Sequence, residues 1–175
     1  MRITLVVPSF NLGGGELVTV RLAAELAREP SNEVTVICLF EPTPGLVLDE
    51  ALAARVNVLS LDKQPGFDFF LLFKLARALR RSRPEVLHTH LGAFRYSVLS
   101  AMVCRVRKKC HTIHTMPLQD VSLTPRLLSY LAFSVLGWTP IVLSSVAREE
   151  FSRAYGRVPS VVSNGVAAAQ HDSTG

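Results

Sequence analysis

The chain is short of long hydrophobic runs, of cysteine and of aromatic residues, and each shortage closes off a class of protein. Hydrophobic residues make up 49% of the composition, yet charged or polar residues interrupt every apolar stretch well before the ~20 residues that a membrane-spanning helix needs. A soluble protein is expected. Met1 to Pro8 carries one arginine and a strand-length apolar run, without the longer apolar core and small-residue cleavage site of a secretory signal. The three cysteines, Cys38, Cys104 and Cys110, are odd in number and scattered through apolar segments, which suits buried thiols in a reducing cytoplasm better than disulfides. Aromatic residues make up 7% and do not form a stacking platform among the basic clusters, so no nucleic-acid partner is expected.

Basic residues are in excess. Nineteen Lys and Arg against fourteen Asp and Glu give a net charge of +5, concentrated in Arg77 to Arg83 and in Arg105 to Lys109, and this favours anionic partners. The 175 residues fit one domain. Within it, short apolar runs at Ile3–Val7, Val34–Phe40, Val56–Leu61, Val86–His90, His111–His114, Ile141–Leu143 and Ser160–Val162 read as strands, and most are apolar throughout. Helical patterns separate them, a combination that points to parallel strands covered on both faces. One helix over Glu16 to Arg28 shows only a narrow polar stripe of Arg21, Glu25 and Arg28. Another runs from an N-cap at Asp68 to basic residues ahead of Pro84. The predicted fold is α/β, a single doubly wound and mostly parallel sheet over residues 1–166, with residues 167–175 as a polar tail.

Ligands of such sheets bind beyond the carboxyl ends of the strands, where helix N-termini point free amides. The first strand leads into Pro8-Ser9-Phe10-Asn11-Leu12-Gly13-Gly14-Gly15-Glu16, and glycines there let backbone N–H groups approach an anion or a sugar. A plain flexible turn is the simpler reading. A dinucleotide site with Glu41 as the ribose ligand is a third, but the Gly-x-Gly-x-x-Gly spacing is missing. His88 and His90 share a strand face, and with His111 and His114 they could imitate a metal site. His111 and His114 would diverge on a strand, so no metal is expected.

Taken in order, Pro8-Ser9 with Gly13-Gly14-Gly15-Glu16, Pro84-Glu85-Val86-Leu87-His88-Thr89-His90, Thr112-Ile113-His114, Ser144 at a helix start and Val162-Ser163-Asn164-Gly165-Val166 resemble the N-terminal domain of family 4 glycosyltransferases. Ala167 stands where that family usually has an acidic residue. The resemblance implies the acceptor-side half of a retaining, two-domain GT-B enzyme. Such an enzyme moves a sugar from a nucleotide-sugar co-substrate to an acceptor hydroxyl, without metal or other cofactor. It also implies a C-terminal donor-binding domain as partner, so that this chain alone would be inactive. By the same resemblance His114 is the catalytic candidate beside the donor sugar. Gly13, Gly14, Gly15, Glu16, His90, Ser144, Asn164 and Gly165 are the substrate-binding candidates, with Gly14 and Gly15 nearest the leaving diphosphate and His90 on the acceptor side.

Phe67 to Arg83 mixes phenylalanines with arginines, and Leu127 to Trp138 is a second apolar stretch with aromatics. A core helix with a basic solvated end is the favoured reading; peripheral contact with an anionic membrane at the inner face is the alternative, and would suit a lipid-linked acceptor. Outside the transferase class stand a small Rossmann-like binding module or one subunit of a split transferase, and a nicotinamide- or flavin-binding domain.

Overall fold

The computed structural model describes residues 1–11, 13–54, 56–114 and 123–163. Seven strands, β1 (Arg2–Val7), β2 (Glu33–Cys38), β3 (Asn57–Ser60), β4 (Val86–His90), β5 (Lys108–Ile113), β6 (Trp138–Val142) and β7 (Ser160–Val161), form one parallel sheet in the order β3-β2-β1-β4-β5-β6-β7. Helices α1 (Gly14–Ala27), α2 (Leu46–Ala53), α3 (Phe69–Ser82), α4 (Phe94–Val103), α5 (Leu123–Ser134) and α6 (Ser145–Tyr155) make the crossovers. The chain moves outward from β1 through β2 to β3, then returns to build β4 on the other side of β1. The sheet therefore switches direction between β1 and β4, and loops leaving those two strands splay apart at the carboxyl edge.

The alternation of side chains along each strand feeds two separate cores. On one face Ile3, Leu5, Val7, Val34 and Val36 pack with Val20 and Ala23 of α1 and with Val47 and Ala51 of α2. On the other, Val6, Ile37, Leu87 and Val142 pack with Leu71, Leu75 and Leu79 of α3, Val98 of α4, Phe133 of α5 and Phe151 of α6. Strands buried on both faces need apolar residues at nearly every position, which is why they lack a hydrophobic-polar alternation.

Local signals set the helix ends. Asp68 caps α3 by accepting from the Leu71 amide at 3.1 Å, and Ser144 caps α6 by accepting from the Ala147 amide at 3.1 Å. Arg83 closes α3 in the left-handed region at φ 43°, a place usually given to glycine, and its carbonyl accepts from Arg2 Nε at 2.8 Å. The polar stripe of the first helix, Arg21, Glu25 and Arg28, is exposed.

Two strands start three residues earlier than their sequence suggests. β5 begins at Lys108, because the basic pair Lys108 and Lys109 lies at the strand's amino end, where charge can reach water. β6 begins at Trp138 and runs through Pro140, which sits opposite His111 in the register; a proline argues locally against a strand because it donates no ladder hydrogen bond. Among the described residues no helix is long and apolar enough to cross a membrane. Burial pushes the Cys38 and Cys110 thiols up to about 12.

Candidate functional site

At the switch point, α1 starts without a side-chain cap. Its N-cap is Gly13, which has no side-chain oxygen to offer the first-turn amides, whereas α3 and α6 are capped by the side chains of Asp68 and Ser144. An uncapped helix N-terminus leaves N–H donors and the positive end of the dipole available to an anion. The loop that delivers this end is held in place: Phe40 N donates to the Pro8 carbonyl at 2.8 Å, Gly13 N to the Asn11 carbonyl at 2.8 Å, and Thr43 Oγ1 to Asn11 Oδ1 at 2.9 Å.

The three glycines have three different surroundings. A methyl group at Gly14 would meet nothing within 4 Å, one at Gly15 would lie 3.0 Å from Cδ1 of Leu91, and one at Gly13 would collide with the Glu16 carboxylate. Gly14 is thus the open position of the three. Gly15 lets α1 close onto the β4–α4 connection, where Leu91 itself sits in the left-handed region at φ 52°. Glu16 turns back over this end of the helix, its Oε1 accepting from Ser9 Oγ at 3.3 Å.

Histidines supply the opposite side. Parallel register places His88 beside Cys110 and His90 beside Thr112, so His88, His90, Thr112 and the residue following the strand, His114, lie on the α1 face. His88 Nε2 and Thr112 Oγ1 are 2.7 Å apart, and His90 Nδ1 and His114 Nε2 are 3.1 Å apart. One proton serves each of these contacts, so the ring tautomers of His90 and His114 are linked. Buried His90 has no partner for its Nε2 among the described residues. It was expected to line the acceptor side, but it is only 1% exposed and reaches the carboxyl edge through His114.

Burial holds all these imidazoles toward their neutral forms. His88 is lowered to about 4 by burial and then by the neighbouring His114; His90 is pushed well below the ordinary value by burial and its histidine neighbours. His114 is also lowered by burial, with the Glu16 carboxylate pulling the other way. Glu16 and His114 therefore sense one another across the carboxyl edge. The direction of that shift favours the uncharged form of His114 at neutral pH, within electrostatic reach of Glu16 in the first turn of α1.

His111 stands apart. It points to the opposite face, stacked on Phe94 with ring centroids 4.1 Å apart, with Nδ1 3.0 Å from both the Thr89 carbonyl and Thr89 Oγ1. The divergence expected of His111 and His114 is present. Among the described residues no group of three His, Cys, Asp or Glu side chains could hold a metal ion.

Ser144 follows β6 on the same edge, exposed, with an oxygen lone pair engaged in capping α6. Asn164 and Gly165 lie outside the described residues, as does the 167–175 tail. The coupling of His90 to His114 and the packing of Leu91 on Gly15 had no single-residue signal; the paired patterns His-x-His and Thr-x-His carried the information only once the strands were in register. Two open depressions of about 330 and 490 Å³, lined by arginines including Arg80 and Arg83, lie at the opposite, amino edge of the sheet, away from where parallel sheets bind ligands.

Comparison with known proteins agrees with this fold. A glycosyltransferase from Rickettsia africae is 18% identical, with a TM-score of 0.72 over 94% of this chain and 43% of that one. HepE from Anabaena, solved with UDP and glucose, is 17% identical, with a TM-score of 0.75 over 95% of this chain and 45% of that one. The lipopolysaccharide outer core galactosyltransferase WaaB is 12% identical, with a TM-score of 0.65 over 93% of this chain and 44% of that one. These likenesses establish the GT-B fold of one half, and the chain spans less than half the length of each structure. No curated protein matches the chain in sequence. The sequence model of Glycosyltransferase Family 4, however, matches residues 12–170, and the chain belongs to that family.

Proposed function

We propose that these residues form the acceptor-side wall of a retaining glycosyltransferase that moves a sugar from a nucleotide-sugar to an acceptor hydroxyl. The observation that supports this most is the uncapped N-terminus of α1 facing neutral His114 across the switch point. Breaking a sugar–diphosphate bond releases negative charge onto the leaving group. Preorganised amides and a helix N-terminus stabilise such charge without having to reorganise. Open Gly14 is where the diphosphate can approach. His114, uncharged and braced by His90, hydrogen-bonds the donor sugar, and an acceptor enters from the β5–β6 side near Ser144.

The opposite wall, with the nucleotide and most of the donor sugar, belongs to a C-terminal domain, and the two together hold donor and acceptor in one geometry. No cofactor beyond the nucleotide-sugar is required. The acceptor is a saccharide or a lipid-linked sugar, reached from the cytoplasm. Separating the walls forfeits the effective molarity of a closed cleft, on the order of 7 kcal/mol of barrier. The 175-residue chain therefore folds but does not transfer sugar alone.

The test is a panel of nucleotide-sugars and saccharide or lipid acceptors incubated with the chain alone, with the two-domain enzyme, and with a Gly14→Val version of that enzyme. Transfer by the intact enzyme, lost in Gly14→Val and absent from the chain alone, is expected. Robust transfer by the chain alone, or full turnover in Gly14→Val, overturns the reading.

A further inference from the structure

The helix layer of α3 and α4 carries a surface that the sugar-transfer site does not use. The protein-facing side of α3 is aliphatic, with Leu71, Leu75, Ala76, Ala78 and Leu79 buried. Its outward side is not the solvated polar face that an ordinary surface helix has. Phe69, Phe70 and Phe73 are 58%, 73% and 62% exposed, and Phe67 ahead of the helix is 73% exposed. The same side continues into exposed Lys74, Arg77, Arg80 and Arg81. The core-helix reading of this segment holds for its leucines and fails for its phenylalanines.

Neighbouring α4 adds exposed Leu99, Met102 and Val103, together with Arg95 and, just past its end, Arg105. From Phe69 to Gln119 the sequence has ten Lys and Arg and a single acidic residue, Glu85, and Glu85 is taken by Arg2. Among the described residues none of Arg77, Arg80, Arg81 and Arg95 has a carboxylate partner. Asp68, the acid closest to the phenylalanines in sequence, is engaged by the amides of Leu71 and Gln64.

We propose that this face of α3 and α4 docks the chain on an anionic lipid bilayer. Protruding phenylalanines enter the boundary between headgroups and acyl chains, while the unpaired arginines meet lipid phosphates and anionic headgroups. The charge distribution selects this occupant. A second copy of the chain would set arginine against arginine, and a partner protein would need an acidic surface to meet four cations without carboxylate partners among the described residues. The phenylalanines sit at the N-terminal end of α3, the end nearest the carboxyl edge of the sheet. Docking thus brings the candidate site toward the membrane surface. That consequence rests on the transferase reading; the docking itself does not.

The experiment is flotation of the full chain with vesicles of phosphatidylcholine alone or with added phosphatidylglycerol, without any sugar substrate. Binding to the anionic vesicles that weakens with salt, and little to the neutral ones, is expected. Arg77→Ala with Arg81→Ala should lower anionic-vesicle affinity about 25-fold, from roughly fivefold for each cation, while Arg153→Ala with Arg157→Ala changes nothing. A Phe70→Trp version should show a blue-shifted emission when anionic vesicles are added, independently of whether a triple Phe69, Phe70 and Phe73 to Ser variant folds. No binding at low salt, equal binding to neutral vesicles, indifference to the arginine pair, or an unshifted tryptophan overturns the proposal. Because no sugar enters the assay, its failure leaves the transfer reading untouched, and failed transfer leaves docking standing.

Discussion

The two faces of the β4–β5 strand pair carry the same residue type to opposite ends. On one face His111 is sealed between Phe94 and the Thr89 backbone, with its ring stacked and its Nδ1 bonded. On the other, His90 has a nitrogen without a partner among the described residues and bonds through its second one to His114 at the open carboxyl edge. Histidine in the first setting is a packing group, and in the second it is a group with capacity to spare. What separates them is a single step along the strand, since successive side chains alternate between faces.

The largest effect should come from the sealed side. His111→Ala removes a stacked ring from the α4–α5 core, and the resulting cavity should cost about 3 kcal/mol, read by urea unfolding. A cost as small as that of His114→Ala would erase the distinction between the faces. On the open side, His114→Ala in the two-domain enzyme should leave unfolding unchanged and lower turnover about 100-fold, with little change in acceptor affinity. A loss confined to acceptor affinity would move His114 away from the donor sugar.

Acid sharpens the same contrast. The unfolded chain binds imidazole protons near pH 6.5, while folded His111 and His88 bind them only near about 3 and about 4. The unfolded state thus holds more protons across that window, so stability is complete above pH 6.5 and falls as pH drops toward 4. At pH 5 the share from His111 alone is on the order of 2 kcal/mol. Unfolding curves at pH 7.5 and 5 should show the loss, and His111→Asn should shrink it. A pH-independent midpoint would contradict the burial of these rings.

The split between packed and open recurs in the glycine loop with smaller effects. Gly15→Val must push Leu91 aside and should cost about 1–2 kcal/mol. Gly14→Ala enters empty space, so its midpoint should stay within about 0.5 kcal/mol while transfer by the two-domain enzyme falls. Equal destabilisation by the two changes would mean that Gly14 is packed as well.

Much of the fold was legible because its signals are local. Asp68 and Ser144 announce helix starts through hydrogen bonds from amides three residues on, and the mostly apolar runs of β1 and β2, broken only by Thr4 and Thr35 after a charged first residue, announce strands covered on both sides. The start of β6 was hidden by Pro140, whose local preference is overruled by pairing with β5. Within the site, the glycine loop and the facing pair His88 and His90 could be read from spacing. The bond from His90 to His114 could not, because it depends on how β4 and β5 slide against one another. Nor could spacing show which glycine is filled, since Leu91 reaches Gly15 from a different crossover. The exposure of the α3 phenylalanines was hidden for a related reason: leucines at complementary positions already satisfy the core.

The thiols offer the molecule a clock. With Cys38 and Cys110 held near about 12 by burial, almost no thiolate exists in the folded state, and alkylating reagents must wait for the structure to open. Cys38 Sγ lies 3.7 Å from the Pro8 carbonyl, at the root of the glycine loop, and Cys110 Sγ lies 3.8 Å from the Leu87 carbonyl, in the middle of the sheet. Their labelling rates would time two separate events, loosening of the loop and parting of β4 from β5, in one sample and without any substituted residue.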